Sequence, residues 1–265
     1  MRIFVTGVGG QLGHDVMNEL AKRGYEGVGS DIAPSYSGIA DGTAVTTMPY
    51  VQMDITDKAS VEKVIKEANV DAVIHCAAWT AVDAAEDEEN QPKVRLVNVT
   101  GTQNIADVCK ELDIKFFIVR IAWVFGKNGK NFIKTMISLG KTHDTLSVVN
   151  DQIGTPTYTY DLARLLVDMI ETEKYGYYHA TNEGGYISWY DFTKEIFRQA
   201  AAMGHPEYLP ENMTVNSVTT AEYGASKAAR PFNSRLDKSK LTANGFTPLP
   251  TWQDALGRYL KELDF

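Results

Sequence analysis

The start of the chain constrains its fold more than any other stretch. Residues 1–13 read MRIFVTGVGGQLG, a short apolar run followed by Gly7, Gly10 and Gly13 at intervals of three, and a helical apolar pattern comes next. A strand that runs through a glycine-rich turn into a helix lets the backbone approach a pyrophosphate closely, and the helix N-terminus offsets its charge. Glycine is required because no Cβ then intervenes. The pattern predicts dinucleotide binding at these glycines and at Gln11 and Leu12.

The second strand supports this interpretation, since a glycine-rich turn alone is common. It ends at Asp31, about 20 residues downstream, where an acid accepts a hydrogen bond from a ribose hydroxyl. The simpler interpretation is a strand, turn and helix whose glycines serve packing. The Asp31 carboxylate repels a 2′-phosphate and favours NADH, whereas Lys22 and Arg23 soften that preference. The cofactor is predicted to be NADH or NADPH.

The alternation of strands and helices predicts an α/β fold, a Rossmann-like doubly wound parallel sheet with a smaller C-terminal α/β substrate lobe. The predicted division is a dinucleotide-binding domain of residues 1–124 plus 157–180 and a substrate-binding lobe of residues 125–156 plus 181–265. Strands are predicted at 3–6, 27–30, 50–53, 72–76 and 115–121, and helices at 11–23, 58–68, 93–112, 131–139, 161–171, 189–202 and 252–263.

Composition narrows the class of partners. The net charge of −8 argues against a nucleic-acid groove, and the longest apolar run, residues 116–125, is too short to span a membrane and carries Arg120. The chain enters a strand at residue 2, so no signal peptide is predicted. Cys76 and Cys109 form no disulfide framework and indicate a reducing compartment, hence a cytoplasmic location. The histidines are scattered, which predicts no metal site, and His75 is interpreted as a hydrogen-bonded strand residue.

Further cofactor contacts are predicted where the third and fourth strands end, because ligands of such sheets bind at the carboxyl ends of strands. Asp54 and Ile55 are expected at the adenine edge, although Asp54 also suits the start of a helix. Ala77 and Ala78 are small enough for a flat ligand to lie against the strand end, and Thr80 suits either a sugar contact or a helix cap.

Asn98 is a polar residue on an otherwise apolar helix face. A buried asparagine must be hydrogen-bonded, so it is interpreted either as a structural bridge to the backbone or as part of a proton relay.

Eight stretches resemble one known family in its order along nearly the whole chain. They are 5–13 (VTGVGGQLG), 53–56 (MDIT), 76–83 (CAAWTAVD), 119–126 (VRIAWVFG), 131–132 (NF), 149–157 (VNDQIGTPT), 188–192 (SWYDF) and 230–236 (RPFNSRL). On these motifs the chain resembles the dTDP-4-dehydrorhamnose reductases, a branch of the extended short-chain dehydrogenase/reductases.

The resemblance implies a reaction and a substrate site. A nicotinamide cofactor would deliver hydride to the 4-keto carbon of a dTDP-6-deoxy sugar, giving dTDP-rhamnose for cell-surface polysaccharides. By motif match Trp123 would flank the sugar, and the rest of the substrate pocket would comprise Val82, Asn131, Gln152, Arg230 and Pro231. An arginine fork suits a pyrophosphate, although Arg230 also fits a surface ion pair, and Trp123 also fits core packing.

One segment departs from the family pattern, so the catalytic residues are unknown. A Ser/Thr-Asp-Tyr segment and a following Tyr-x-x-x-Lys helix should precede Val119, but residues 115–117 run directly into 118–120. A strand–loop–helix unit of at least roughly 30 residues is absent. We expect the fused strand 115–121 to lie beside strand 72–76, the sheet to be one strand short, and one helix face to be less covered.

Two other stretches match Tyr-x-x-x-Lys, Tyr223 with Lys227 and Tyr190 with Lys194. The first is a weak catalytic candidate because Arg230-Pro231 would end any helix there. Tyr190 is interpreted as a packing residue.

Three functions therefore stay open. The first is an NAD(P)H-dependent reductase of a dTDP-keto sugar, and the second is a catalytically inactive nucleotide-binding or regulatory homologue. A nucleotide-sugar epimerase or dehydratase is the third, and the motifs at Trp123, 150–152 and 230–231 disfavour it. The oligomeric state, a homodimer included, is not decided by the sequence.

Overall fold

The chain folds into two compact units. The computed structural model describes residues 1–114, 117–224, 226–263 and 265. The first unit is Met1–Ile118 with Ala163–Tyr177, and the second is Val119–Leu162 with Tyr178–Phe265. Among the described residues, no helix has both the length and the apolar character needed to span a bilayer.

A parallel sheet with helices forms the first unit, as the sequence predicts. Its strands are β1 (Arg2–Thr6), β2 (Glu26–Asp31), β3 (Tyr50–Gln52) and β4 (Ala72–His75), and they pair in the order β3-β2-β1-β4. Ile3 lies opposite Gly27 on one side and Ala72 on the other, and every pair is parallel. The α/β fold class is confirmed.

Helices cover both faces of this sheet. Buried residues of α1 (Gln11–Lys22), α2 (Lys58–Ala68) and α4 (Thr102–Glu111) pack there. Helix α3 (Gln91–Arg95) has no buried residue, and a π-helical segment, Leu96–Gly101, joins it to α4. Alternate residues of β1 enter different cores, because neighbouring side chains point to opposite faces. Ile3 and Val5 pack with Val16 of α1, whereas Phe4 packs with Val61 of α2.

The remaining elements belong mostly to the second unit. The strands are β5 (Phe117–Arg120), β6 (Val124–Phe125), β7 (Thr145–Val149), β8 (Ile153–Gly154), β9 (Thr157–Tyr158), β10 (Gly176–His179), β11 (Ile187–Ser188) and β12 (Thr214–Val218). The helices are α5 (Phe132–Gly140), α6 (Thr159–Ile170), α7 (Trp189–Ala202), α8 (Thr220–Tyr223), α9 (Ser239–Ala243) and α10 (Trp252–Leu260). An aromatic core built on Phe125, Tyr158, Phe192 and Tyr259 holds the second unit together.

The fused strand does not take the expected place. Among the described residues β4 is an edge of its sheet, and β5 pairs with β10 in a separate two-stranded sheet. The predicted position beside β4 is therefore wrong. Later segments fix this part of the chain, because the Arg120 carbonyl accepts from the Ala180 amide at 2.9 Å and the Trp123 carbonyl accepts from Thr157 at 3.0 Å. The pairing with β10 uses one edge of β5, and among the described residues the other edge does not pair with β4. Residues 115 and 116, which begin the predicted strand, lie outside the described residues.

The less covered helix face is confirmed. The segment after β4 carries Leu96 and Val99, which are 44% and 64% exposed, whereas Val108 two turns later is fully buried. Large apolar side chains on a helix normally face a core. The helical segment of residues 91–111, called the crossover helix below, therefore exposes apolar side chains that its sequence pattern predicts to be buried.

Candidate functional site

The glycine turn is pressed against the end of β4. Gly7 has φ of +68°, and a Cβ at this position would lie 2.6 Å from the Ala77 nitrogen. A Cβ on Gly13 would collide with the Gly7 carbonyl oxygen, and the Gly10 amide donates to that same oxygen at 3.0 Å. Glycine is therefore required at Gly7 by both backbone conformation and space, and at Gly13 by space.

Helix α1 begins at this turn, and its first helical turn contains no acidic side chain that would offset the positive end of the helix dipole. Gly10 is the N-cap in extended conformation and makes no side-chain cap, and no acidic residue stands in the first turn of α1. The positive end of a helix dipole stabilises a nearby anion. A cradle that a Cβ would fill, set at such a helix end, fits the pyrophosphate of a dinucleotide.

Asp31 lies beside the same turn. One carboxylate oxygen accepts from the Gly9 amide at 2.9 Å, and the other accepts from Ile32 at 2.8 Å. The structure thus brings together the acid and the glycines that the sequence singled out. Arg23 binds Glu19 and Asp168, each at 2.7 Å, so its charge is engaged by acids of the helices.

Asp54 and Ile55 have structural tasks at the end of β3. The Asp54 carboxylate accepts from the amide and hydroxyl of Thr56 at 2.9 and 2.8 Å. Ile55 is buried, and its carbonyl accepts from the Asn104 side chain at 2.9 Å. The N-cap of α2 is Asp57, so Asp54 lies in the segment that leads into this helix, and adenine contact stays a prediction for both residues.

Thr6 organises the end of β4, and sequence reasoning missed it. Its hydroxyl contacts Nδ1 of His75 at 2.7 Å and accepts from the amides of Cys76 and Ala77 at 3.1 and 3.2 Å. With both lone pairs engaged, the hydroxyl donates its proton to Nδ1. The only signal in the sequence was a threonine at the last position of an apolar strand. Ala77 is half-buried under the glycine turn, whereas Ala78 and Thr80 are exposed.

His75 is a hydrogen-bonded strand residue, as predicted. Its Nε2 lies 3.2 Å from the Thr102 hydroxyl, and burial lowers the pKa of His75 to about 4. The ring is therefore neutral at physiological pH. Burial also raises the pKa of the Cys76 thiol to about 12, which makes it a poor nucleophile.

Asn98 bridges to backbone. Its Oδ1 accepts from the Trp79 amide at 2.7 Å, and its Nδ2 donates to the Trp79 carbonyl at 3.1 Å. The structural bridge is the alternative that the geometry displays. The expectation of a buried position is wrong, because Asn98 is exposed on the π-helical segment.

In the second unit, several predicted substrate residues gather around β8. Gln152, which precedes it, is buried and donates to the Thr220 hydroxyl at 3.0 Å. The Ile153 amide donates to the Phe232 carbonyl at 2.9 Å, which brings the segment after Arg230 and Pro231 alongside. Arg230 is half-buried and Pro231 is exposed.

Trp123 reaches the same strand from another segment. Its indole lies so close to Gly154 that a Cβ there would be 2.7 Å from the indole Cε2. The indole also stacks on Trp189, with ring centroids 3.6 Å apart. Core packing, the simpler interpretation of Trp123, describes only part of this residue because it stays partly exposed.

The structure gives Asn131 a capping role and leaves Val82 exposed. Asn131 caps α5, accepting from the Lys134 amide at 3.1 Å and donating to the Gly126 carbonyl and the Tyr259 hydroxyl at 2.9 and 2.8 Å. Val82 belongs to the first unit and is 51% exposed. A substrate role for either residue stays a prediction.

The two Tyr-x-x-x-Lys stretches differ in geometry. Helix α8 ends at Tyr223, and Gly224 follows with φ of +58°, so Lys227 does not lie one helical turn beyond the tyrosine. Tyr190 and Lys194 do share α7, with the ammonium 5.3 Å from the ring centroid, and Tyr190 packs against the core of its unit.

Comparison with known proteins gives near-complete matches. The RmlD substrate binding domain family matches residues 1–117 and 114–265. A dTDP-4-dehydrorhamnose reductase of Aggregatibacter actinomycetemcomitans is 34% identical, with 96% of this chain and 97% of the relative covered. Its namesake in Streptomyces griseus is 31% identical over 96% and 91%. The crystal structure of dTDP-4-dehydrorhamnose reductase from Bacillus anthracis in complex with NADP is 31% identical, covers 99% of both chains and superposes with a TM-score of 0.82.

The alignment with the first relative is longer than this chain. The alignment with the first relative extends over 310 positions, 45 more than the 265 residues of this chain. At least that many positions of the alignment therefore have no residue here. The two parts of the family match overlap at residues 114–117, next to the join between residues 117 and 118 that the motif pattern predicts.

Proposed function

This chain belongs to the RmlD substrate binding domain family, and from that premise we propose that it reduces dTDP-4-dehydrorhamnose to dTDP-rhamnose with NADH or NADPH. The glycine turn is the observation that carries the proposal. Its backbone is packed on the end of β4 with no room for a side chain, and Asp31 lies beside it. That arrangement, set at the N-terminus of α1, suits the pyrophosphate of a dinucleotide.

The first unit would hold the cofactor. The glycine turn and the amides of Gln11 and Leu12 would hold the pyrophosphate, and Asp31 would bind a ribose hydroxyl. The bound cofactor supplies the hydride. The adenine and nicotinamide parts would contact the remaining predicted residues, which are Asp54, Ile55, Ala77, Ala78 and Thr80.

The second unit would hold the dTDP-sugar. A guanidinium matches the paired oxygens of a pyrophosphate, so Arg230 would bind the diphosphate. The Gln152 side chain is placed by Thr220, and Trp123 would lie against the sugar. Val82, Asn131 and Pro231 complete the proposed set. We place the reaction in the cytoplasm, where nucleotide-sugar synthesis would precede assembly of a surface polysaccharide.

The proposed reduction needs a general acid to protonate the reduced carbonyl, and the family's usual Tyr-x-x-x-Lys segment is missing from this chain. General acid catalysis contributes about 10²- to 10⁴-fold to a rate, and neither Tyr-x-x-x-Lys stretch has support as the acid. We therefore expect turnover slower than that of a full-length relative by roughly this factor. The break in the family match favours a second candidate, a nucleotide-binding homologue without turnover.

One experiment separates the two candidates. Oxidation of NADH and NADPH is followed with dTDP-4-dehydrorhamnose, beside a fluorescence titration of each reduced cofactor. Formation of dTDP-rhamnose supports the reductase, whereas cofactor binding without product supports the second candidate. A chimera that carries the relative's extra segment at residues 114–117 should raise turnover. Absence of cofactor binding in the wild-type chain would contradict both.

A further inference from the structure

Trp123 has a backbone conformation that a bulky residue rarely adopts. Its φ is +49°, in the left-handed region, and the other described non-glycine residues with positive φ are Asn69 and Asp113. Asparagine and aspartate tolerate this region, but for tryptophan it is a strained state that the surroundings must impose.

The surroundings of Trp123 do impose it. Its carbonyl accepts from the Thr157 amide at 3.0 Å, and the Thr157 hydroxyl donates to the Ala122 carbonyl at 2.6 Å. The indole lies on Trp189 with an interplanar angle of 13°. Two neighbouring backbone groups and one ring face are therefore fixed together.

Trp189 is itself anchored to the core of the second unit. Its ring contacts Phe132 at 4.5 Å between centroids, and Phe132 stacks on the buried Phe192 at 5.9 Å. A continuous set of aromatic contacts thus links the partly exposed Trp123 to a rigid interior. Such a chain of rings restrains a side chain better than a loop can.

Gly154 limits the indole from another direction. A Cβ would lie 2.7 Å from Cε2 and 2.9 Å from Nε1 of Trp123. Gly154 has no left-handed φ, so space rather than conformation calls for glycine here. Alanine at this position would have to displace the indole.

We infer that Trp189 and Gly154 are positioning residues, which fix the indole of Trp123 as a platform for the sugar ring of a dTDP-6-deoxyhexose. This inference rests on the proposed function. A 6-deoxyhexose presents a methyl group and C–H bonds that pack on an aromatic face, and a platform held at one angle selects the sugar orientation. Strain at Trp123 is then part of the site, because a relaxed φ would turn the ring away.

A first measurement tests the geometry without substrate. Two indoles with ring centroids 3.6 Å apart should couple and give an exciton couplet in the circular dichroism spectrum. Trp123→Phe and Trp189→Phe should each abolish the couplet, and Gly154→Ala should reduce it although both indoles remain. Trp79→Phe is the control, since no stacking of Trp79 on another tryptophan is found among the described residues. A couplet that survives Trp189→Phe would overturn the stack.

A second measurement tests the role, with dTDP-rhamnose as the calorimetric probe. Trp189→Ala should weaken its binding about tenfold, Trp189→Phe should restore it to within about threefold, and Gly154→Ala should weaken it about fivefold. NADPH affinity should stay unchanged in all three variants. In the turnover assay KM should rise with kcat within about threefold.

The outcomes separate this inference from the function on which it rests. Wild-type protein that binds no dTDP-rhamnose overturns both. Wild-type binding together with unchanged affinity in Trp189→Ala and Gly154→Ala overturns the positioning role and leaves the proposed function intact. Should Trp189→Ala fail to fold, Gly154→Ala still decides, because it removes no core contact.

Discussion

The glycine turn and the crossover helix (residues 91–111) belong to the same unit and were both visible in the sequence, yet they differ in how well the structure completes them. At the turn, backbone meets backbone across β1 and β4 with no space left. On the crossover helix, Leu96 and Val99 face outward. The glycine turn keeps its packing because its partners lie on neighbouring strands that are present. The apolar face of the crossover helix stays exposed because the strand–loop–helix segment that would cover it is absent from this chain.

The largest expected effect on stability comes from a substitution in the close-packed glycine turn. Gly7→Ala should lower the free energy of unfolding by about 2–5 kcal/mol, the sum of left-handed strain and overpacking against Ala77. Gly42→Ala is a matched control, because Gly42 has φ of +75° and nothing within 4 Å of its Cβ position. It should cost about 1–2 kcal/mol. Denaturant unfolding of both variants measures the difference, and equal losses would mean that the turn is not close-packed.

The pH dependence of His75 probes the same contact. Burial lowers the pKa from 6.5 in the unfolded chain to about 4, so between these values the unfolded state binds more protons. Stability should fall as the pH drops from 6.5 towards 4, by about 2 kcal/mol after allowance for partial exposure. Protonation of Nδ1 would also remove the acceptor for the Thr6 hydroxyl. Unfolding at pH 7 and pH 4.5, compared between wild type and His75→Gln, isolates this contribution; parallel curves would refute it.

On the crossover helix, substitutions at a buried and at an exposed position should change the free energy of unfolding by different amounts. Val108→Ala should cost about 1.6 kcal/mol, since two buried methyl-sized groups are lost. Val99→Ala should change stability by less than about 0.5 kcal/mol because the side chain is exposed. Chemical denaturation at two protein concentrations measures both. A large, concentration-dependent loss in Val99→Ala would show that another copy of the chain covers this face in solution.

The smallest effect is expected at Tyr223. Since α8 ends there and Lys227 is not one turn beyond, Tyr223→Phe should alter kcat by less than about twofold, far below the 10²-fold or more expected for a lost general acid. Steady-state NADPH oxidation measures it. A drop of a hundredfold would restore Tyr223 as the acid and would break the view that this chain lacks one.

Much of the candidate site was predictable because its parts are local. Gly7, Gly13 and Asp31 follow from one strand–turn–helix–strand pattern, and the structure brings them together. Asn98 shows the limit, because its apolar helical setting predicted burial and the loss of a covering element left it exposed. Thr6 and Trp189 escaped notice, since a threonine ending a strand and a tryptophan beginning a helix carry no pattern that names their distant partners.

The sequence alone determined the α/β class, the order of the helices and strands from β1 to β4, and the glycine turn, because side-chain periodicity and the absence of a Cβ act within a few residues. Tertiary structure decided where β5 pairs, which helix face stays bare, and how Trp123 is held. Each of these depends on which partner, distant along the chain, occupies a neighbouring slot. A strand edge accepts any compatible strand, and only the folded chain determines which strand lies there.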